Sequence, residues 1–173
     1  MGVMETVLLI SEATLKSYSL INDNVDGMYL LPAIQSAQDI DLDTVIGTAL
    51  NRKLQDLVKT GEINTDKYAA YRELLDQYIT PYLCWQVMST VQTAINYKMT
   101  NSGVIENQDD NKTKLDFYNA RLLQDQYTKY ANSYALKLKN YLCTNSSKYP
   151  EYHKCINHQG EEMPRLCSIF LED

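Results

Sequence analysis

The chain has 173 residues, 45% hydrophobic and 22% charged, a length that suits one core of ordinary size and rarely allows two independent domains. Its net charge of −6 argues against a free-standing nucleic-acid-binding protein, which normally carries a basic surface. No apolar run is long enough to span a membrane, and residues 1–10 lack the pattern of a secretory signal. Composition therefore predicts an acidic, soluble, intracellular globular chain.

Local signals divide the first third of the chain into short helices. A helical turn is expected after Ser11, whose hydroxyl suits an N-cap. The next helix is predicted to start near Leu31, because Pro32 is tolerated only in the first turn of a helix, and Gly47 then interrupts it. A further amphipathic helix ends at Gly61, a residue typical of the position just after a helix.

Two long helices are predicted in the remainder of the chain. The first starts with Thr65 or Asp66 as its cap and continues to about Met99, with a kink or a restart at Pro81. The second covers about residues 112–142 and carries a nearly heptad-spaced seam. The seam residues are Ala120, Leu123, Tyr127, Tyr130, Tyr134, Leu138 and Tyr141.

These elements predict an all-α fold, a small helical bundle whose last helix is long. Residues 101–111 lack a helical pattern and are expected to form a projecting loop or a short β-hairpin. The helical pattern stops after residue 143. We therefore expect a helical domain over residues 1–143 and an irregular C-terminal arm over residues 144–173.

Chemistry-bearing motifs are scarce, and we expect neither an enzyme nor a cofactor. The sequence lacks a nucleophile elbow, a phosphate loop, a dinucleotide fingerprint and a zinc-protease motif. We also expect no metal site, and we interpret the cysteines of the C-terminal part as packing against the bundle or a partner. The alternative is a zinc site formed by one set of Cys and His residues, whose spacing matches no recurring zinc motif. That set is Cys143, His153, Cys155, His158 and Cys167. Without an export signal, the four cysteines are not expected to form a disulfide framework.

Tyrosine is the most unusual feature of the composition, because it supplies 14 of the 17 aromatic residues. A tyrosine ring has an apolar body and a polar tip, which suits contacts between subunits. Tyr97, Tyr118, Tyr149 and Tyr152 lie outside the main helical seams. We expect several of them to contact another chain, which favours an assembly protein over an enzyme.

Six short motifs resemble those of head–tail connector proteins of tailed bacteriophages, most closely those of crAss-like and other Bacteroidales phages. They lie at residues 9–16 (LISEATLK), 24–26 (NVD), 34–40 (IQSAQDI), 46–50 (IGTAL), 100–104 (TNSGV) and 149–152 (YPEY). In that family a helical turn leads across an acidic loop into a helix closed by Gly and then a second amphipathic helix. The resemblance covers most of residues 6–152.

The resemblance implies a structural virion protein that forms a ring beneath the portal, joins capsid to tail and extends the DNA channel. Its partners would be further copies in a twelve-membered ring, the portal protein and other neck or tail proteins. Double-stranded DNA would pass without sequence-specific binding and no membrane would be involved. Twelve copies at −6 would carry about −72, which opposes tight DNA binding in the lumen. Such a protein would be assembled in the host cytoplasm and end in the virion neck.

The resemblance also suggests where contacts lie. The expected subunit or portal interface is the C-terminal arm, with Tyr149, Pro150, Tyr152, Ile169, Phe170 and Leu171. The apolar tip of the arm, residues 169–171, could instead fold back on its own bundle. The expected contact with the lumen or an adjoining ring is Asn101, Ser102, Gly103, Val104 and Ile105, unless this segment is only a surface loop.

Two alternative functions remain open at this point. Within the same neck, the chain could be a tail-completion or stopper protein. From a different class, it could be a zinc-stabilised adaptor inside the host cell.

Overall fold

Seven α-helices and one β-hairpin make up the part of the chain that the computed structural model describes, residues 7–18, 25, 27–100, 103–106 and 117–153. The helices are α1 (Glu12–Tyr18), α2 (Gly27–Ser36), α3 (Asp43–Ile46), α4 (Thr48–Thr60), α5 (Ala69–Leu74), α6 (Thr80–Asn96) and α7 (Phe117–Thr144). The strands are β1 (Tyr97–Thr100) and β2 (Gly103–Glu106). The predicted all-α class is confirmed.

Two π-helical turns join shorter helices into longer ones. Ala37–Leu42 connects α2 to α3, and Leu75–Ile79 connects α5 to α6. In the second turn the N–H of Thr80 donates to the carbonyl of Leu75, five residues earlier. The next residue, Pro81, has no N–H to donate to an earlier carbonyl. The π turn shifts the hydrogen-bond register directly before this residue. The helix therefore restarts at Thr80, as one of the two predicted outcomes, without a gap.

Helix α6 is at the centre of the bundle, because it packs against both α2 and α7. Most of its side chains from Thr80 to Val91 are buried. The largest fully buried aliphatic side chains around it come from nearly every other helix. They include Leu15, Leu30, Ile34, Leu42, Ile46, Leu50, Leu54, Leu57, Leu74 and Ile79.

Several helix ends lie where local chemistry predicts them. The hydroxyl of Ser11 accepts a hydrogen bond from the N–H of Thr14 at 3.0 Å, which caps α1. Gly47 separates α3 from α4 with a φ of 87°, and Gly61 ends α4 in the left-handed conformation with a φ of 74°. Both positions use a backbone conformation that side chains disfavour.

The predicted start of the second helix is wrong by one turn. Helix α2 begins at Gly27, so Pro32 lies inside it and not in its first turn. Leu30, before the proline, and Ile34, after it, are both fully buried. Packing of these two side chains favours helix on both sides of Pro32, although proline disfavours the helix interior.

The β-hairpin connects the two long helices of the bundle. Strand β1 follows α6 directly, so that helix ends at Asn96 and not near residue 99. The strands are antiparallel, with Tyr97 opposite Glu106 and Thr100 opposite Gly103. A two-residue connection of this kind is typical of a tight hairpin.

The boundary between domain and arm needs correction. Helix α7 ends at Thr144, and a 3₁₀ turn, Ser146–Lys148, leads into residues that pack on the bundle. Tyr149 and Tyr152 both belong to the hydrophobic core. The helical domain therefore extends to about residue 152, not 143, because these two rings bury themselves against it.

Candidate interaction surfaces

Tyr149 and Tyr152 were expected at a subunit interface, and the structure places them inside their own chain. The side chain of Tyr149 is completely buried, and that of Tyr152 is almost so. Pro150, between them, is exposed. A side chain covered by its own bundle has no surface to offer a partner, so the expectation is wrong for both tyrosines.

Four tyrosine rings pack against one another, and we call them the tyrosine cluster. Its members are Tyr71, Tyr78, Tyr141 and Tyr149. The ring centroids of Tyr71 and Tyr149 lie 5.3 Å apart in an edge-to-face arrangement. Those of Tyr78 and Tyr141 lie 3.9 Å apart and are stacked. Such ring pairs stabilise by about 1 kcal/mol beyond their burial, so the cluster joins α5, the π turn, α7 and the arm.

Hydrogen bonds engage three hydroxyls of this cluster, those of Tyr71, Tyr141 and Tyr149. Tyr149 donates to the carbonyl of Ala70 at 2.9 Å, and its oxygen lies 3.2 Å from the hydroxyl of Tyr141. Tyr71 donates to Oε2 of Glu151 at 2.7 Å. Burial raises the pKa of Tyr71 and Tyr149, and the neighbouring Glu151 raises that of Tyr71 further. Both phenols keep their protons, which suits structural donors and opposes acid–base catalysis.

A second polar arrangement holds the segment that precedes α1. The side chain of Gln38 is fully buried in the first π turn. Its Oε1 accepts from the N–H of Leu9 at 2.7 Å, and its Nε2 donates to the carbonyl of Val7 at 3.0 Å. Asn51 donates from Nδ2 to the Gln38 carbonyl at 3.2 Å. The amide of Gln38 thus pairs with both a backbone N–H and a backbone carbonyl of the segment before α1, a role that no local sequence pattern indicates.

The proposed Cys/His metal set does not assemble in the part of the structure that is described. Cys143 is disulfide-bonded, a bond that the sequence pattern did not predict, so its sulfur is not a free thiolate ligand. His153 is exposed, and Cys155, His158 and Cys167 lie outside the described residues. Within the described ranges, no three Cys, His, Asp or Glu side chains are grouped for a metal. Burial raises the pKa of the Cys84 thiol to about 12, so that group is unreactive.

The remaining predicted contact residues divide into two sets. Gly103, Val104 and Ile105 belong to strand β2. The segment predicted as a loop or a short hairpin therefore contains one strand of a β-hairpin. Asn101 and Ser102 lie outside the described residues, as do Ile169, Phe170 and Leu171. Contacts at these positions stay predictions.

The side of α7 that faces away from the bundle carries an unexpected row. Leu122, Lys129 and Leu136 are spaced by seven residues, so they lie on nearly one line of the helix. The two leucines are 50% and 54% exposed, whereas the seam residues Tyr127 and Leu138 are buried. We call Arg121, Leu122, Lys129, Leu136 and Lys139, all of them exposed, the α7 face.

The outward side of α2 and its π turn carries a second exposed row. Leu30 and Ile34 point into the core, whereas Leu31 and Gln35 are exposed. Ile40, in the π turn, is 62% exposed. We call Leu31, Gln35, Ser36, Asp39 and Ile40, all of them exposed, the α2 face.

The segments that carry these two faces have opposite charges. Residues 27–46 contain three aspartates and no basic residue, which gives −3. Residues 117–144 contain four basic residues and one aspartate, which gives +3. Counting the charge of each segment separately would have revealed both faces from the sequence. For α7, the leucines that lie opposite the predicted seam are a second signal. The overall −6 concealed them, because the basic helix is outweighed elsewhere.

Comparison with known proteins gives one match. Residues 42–161 match the sequence pattern of a family of unknown function (DUF6712), from the end of the first π turn into the C-terminal arm. No curated protein and no solved structure matches the chain significantly. Among the described helices, none is both long and apolar enough to cross a bilayer.

Proposed function

The chain belongs to the DUF6712 family, whose function is unknown, and we propose that it is a structural subunit of a tailed-phage virion. In this proposal it forms a ring beneath the portal, joins the capsid to the tail and extends the channel through which DNA passes. It performs no chemical reaction and needs no cofactor. In this proposal the chain acts by binding neighbouring proteins through its exposed surfaces.

The observation that carries this proposal is where the connector-like motifs lie in the fold. Residues 9–16 cover the entry to α1 and its cap, 34–40 run from the end of α2 into the first π turn, and 46–50 cover the break at Gly47. Residues 149–152 are the segment whose two tyrosines close the core. The motifs therefore coincide with junctions that determine this fold, which supports a relationship in architecture with connector proteins.

Two further features support an assembly role. The charged and apolar groups of the α7 face and the α2 face lie on the outside of the bundle, where a partner can reach them. The polar groups inside the described bundle are instead engaged with one another: no buried side-chain nitrogen or oxygen there lacks a hydrogen-bond partner. An interior that serves only stability suits a subunit that works through its surface.

The test is co-purification with the portal protein of the same phage. The tagged chain and that portal protein would be expressed together, purified by the tag and imaged by electron microscopy. We expect a ring attached to the narrow end of the portal, and no binding to a portal protein from an unrelated phage. Purified virions that contain the portal protein but lack this chain would contradict the proposal. A position further along the neck would instead identify a stopper or tail-completion protein.

A further inference from the structure

We infer that copies of this chain associate head to tail, with the α7 face of one copy against the α2 face of the next. The inference deepens the proposed function, on which it rests for the ring, by naming the two surfaces that meet. The occupant of each face is a second copy of the chain. Three properties of the two faces lead to this pairing.

The first property is complementary charge. The segment under the α7 face carries +3 and the segment under the α2 face carries −3. Arg121, Lys129, Lys139 and Asp39 are exposed and take part in no ion pair within the described residues. Opposite potentials on two surfaces favour their encounter, and like potentials prevent each face from pairing with itself.

The second property is that each face combines large apolar side chains with a polar surround. Leu122 and Leu136 are half-exposed on the α7 face, and Leu31 and Ile40 are similarly exposed on the α2 face. Exposed apolar groups surrounded by polar ones are typical of protein contacts. The charges would select the partner, and the four aliphatic side chains would supply buried apolar area.

The third property is that the two faces are different surfaces of the chain. Helices α2 and α7 each pack on the central helix α6 through their buried sides. Each face therefore remains on the outer side of its own helix. A contact between two different surfaces repeats from copy to copy, so it produces a ring or a filament and not a closed two-fold dimer.

Two charge variants test this pairing directly. In the acidic variant, Lys129→Glu and Lys139→Glu change the α7 segment from +3 to −1. In the basic variant, Gln35→Lys, Ser36→Lys and Asp39→Lys change the α2 segment from −3 to +1. Within either variant alone, the two faces now carry the same sign. In an equimolar mixture, the altered α7 face of the acidic variant can contact the altered α2 face of the basic variant, and these two segments carry opposite charges. The unaltered α2 face of the acidic variant and the unaltered α7 face of the basic variant also carry opposite charges.

Sedimentation velocity over a range of protein concentrations gives the readout. We expect the wild-type chain to self-associate less strongly as salt is raised. Each variant alone should associate more than about tenfold more weakly than wild type, and the mixture should recover association. The matched control is Lys59→Glu with Lys148→Glu, which changes the net charge as the acidic variant does, at exposed positions outside both faces. It should associate as wild type does.

Two results would overturn the inference. One is a wild-type chain that stays monomeric at every concentration, and the other is a mixture that associates no better than its components. Circular dichroism of each variant confirms that the helices are intact. Failure here is distinguishable from failure of the proposed function, because the chain can still be found on the portal without this contact. Conversely, head-to-tail association of a chain absent from virions would contradict only the virion role.

Discussion

The hydroxyl of Tyr149 donates a hydrogen bond to the backbone carbonyl of Ala70, 79 residues earlier in the chain, at 2.9 Å. Because its single proton is used there, the contact between the Tyr149 and Tyr141 hydroxyls must be donated by Tyr141. The side chain of Tyr149 thus joins the C-terminal segment to α5, through Ala70, and to α7, through Tyr141. Tyr149, five residues after the end of the last helix, is therefore part of the core.

Tyr149→Ala should lower the free energy of unfolding by about 3–5 kcal/mol, because it removes a fully buried ring. Tyr149→Phe keeps the ring and loses only its hydrogen bonds, so we expect a loss of about 1 kcal/mol. Urea unfolding measures both. Tyr18→Ala, at a half-exposed ring, is the control and should cost much less. Equal losses for Tyr149→Ala and Tyr18→Ala would contradict the burial of Tyr149.

Truncation separates the core part of the arm from the remainder. The sequence pattern alone predicts that a chain ending at residue 143 keeps its helices. From the structure we expect a chain ending at residue 153 to be substantially more stable than one ending at 148, because only the longer one retains Tyr149 and Tyr152. Both lack residues 154–173, so thermal unfolding of the pair isolates residues 149–153. Identical midpoints would show that these residues do not belong to the core.

Gln38→Ala should cost about 1–3 kcal/mol, because the buried N–H of Leu9 then has no acceptor. Gln35→Ala, three residues earlier and exposed on the same helix, should have little effect. Hydrogen exchange of the Leu9 amide gives a local readout, and it should accelerate in Gln38→Ala alone. Unchanged protection of that amide would exclude the proposed pairing of Gln38 with the backbone.

Alkaline pH should destabilise the protein through its buried tyrosines. Burial raises the pKa of Tyr71 and Tyr149 above their ordinary value of about 10 in the folded chain. Above pH 10 the unfolded chain loses these protons and the folded chain keeps them, so the unfolding free energy falls as pH rises. Below that pH the contribution is fully present. Urea titrations at successive pH values should show a shallower alkaline slope for Tyr149→Phe than for wild type.

Substitution of the two left-handed glycines should rank by backbone conformation. Gly61→Ala should cost about 1 kcal/mol, since its φ of 74° is strained for alanine although no atom lies within 4 Å of an added Cβ. Gly61→Asn should cost less, because asparagine tolerates this region. Gly47→Ala should cost more, about 1–3 kcal/mol, because its φ of 87° and ψ of 150° suit glycine alone. Thermal unfolding that showed the reverse order would contradict these assignments.

Features that depend on near neighbours along the chain can be predicted from the sequence alone. The cap at Ser11, the ends at Gly47 and Gly61 and the burial of two seam residues of α7, Tyr127 and Leu138, were all readable, because each reflects a preference within one or two turns of helix. Tyr130 of the same seam is 40% exposed. The all-α class follows from the same periodicity. Pro32 shows the limit of such signals, because burial of the residues around it outweighed a local preference.

Which tyrosines face inward and which helix sides remain outside depends on packing between segments that are distant in sequence. Tyrosine suits both a core and an interface, so the number of tyrosines in the sequence does not distinguish the two. The partners that placed Tyr149 and Tyr71 in the core, Ala70 and Glu151, lie about 80 residues away along the chain, beyond the range of any local pattern. The same packing left the basic side of α7 exposed, together with the outer side of α2 and the side chain of Asp39 in the π turn that follows it, because α6 covers only one side of each helix.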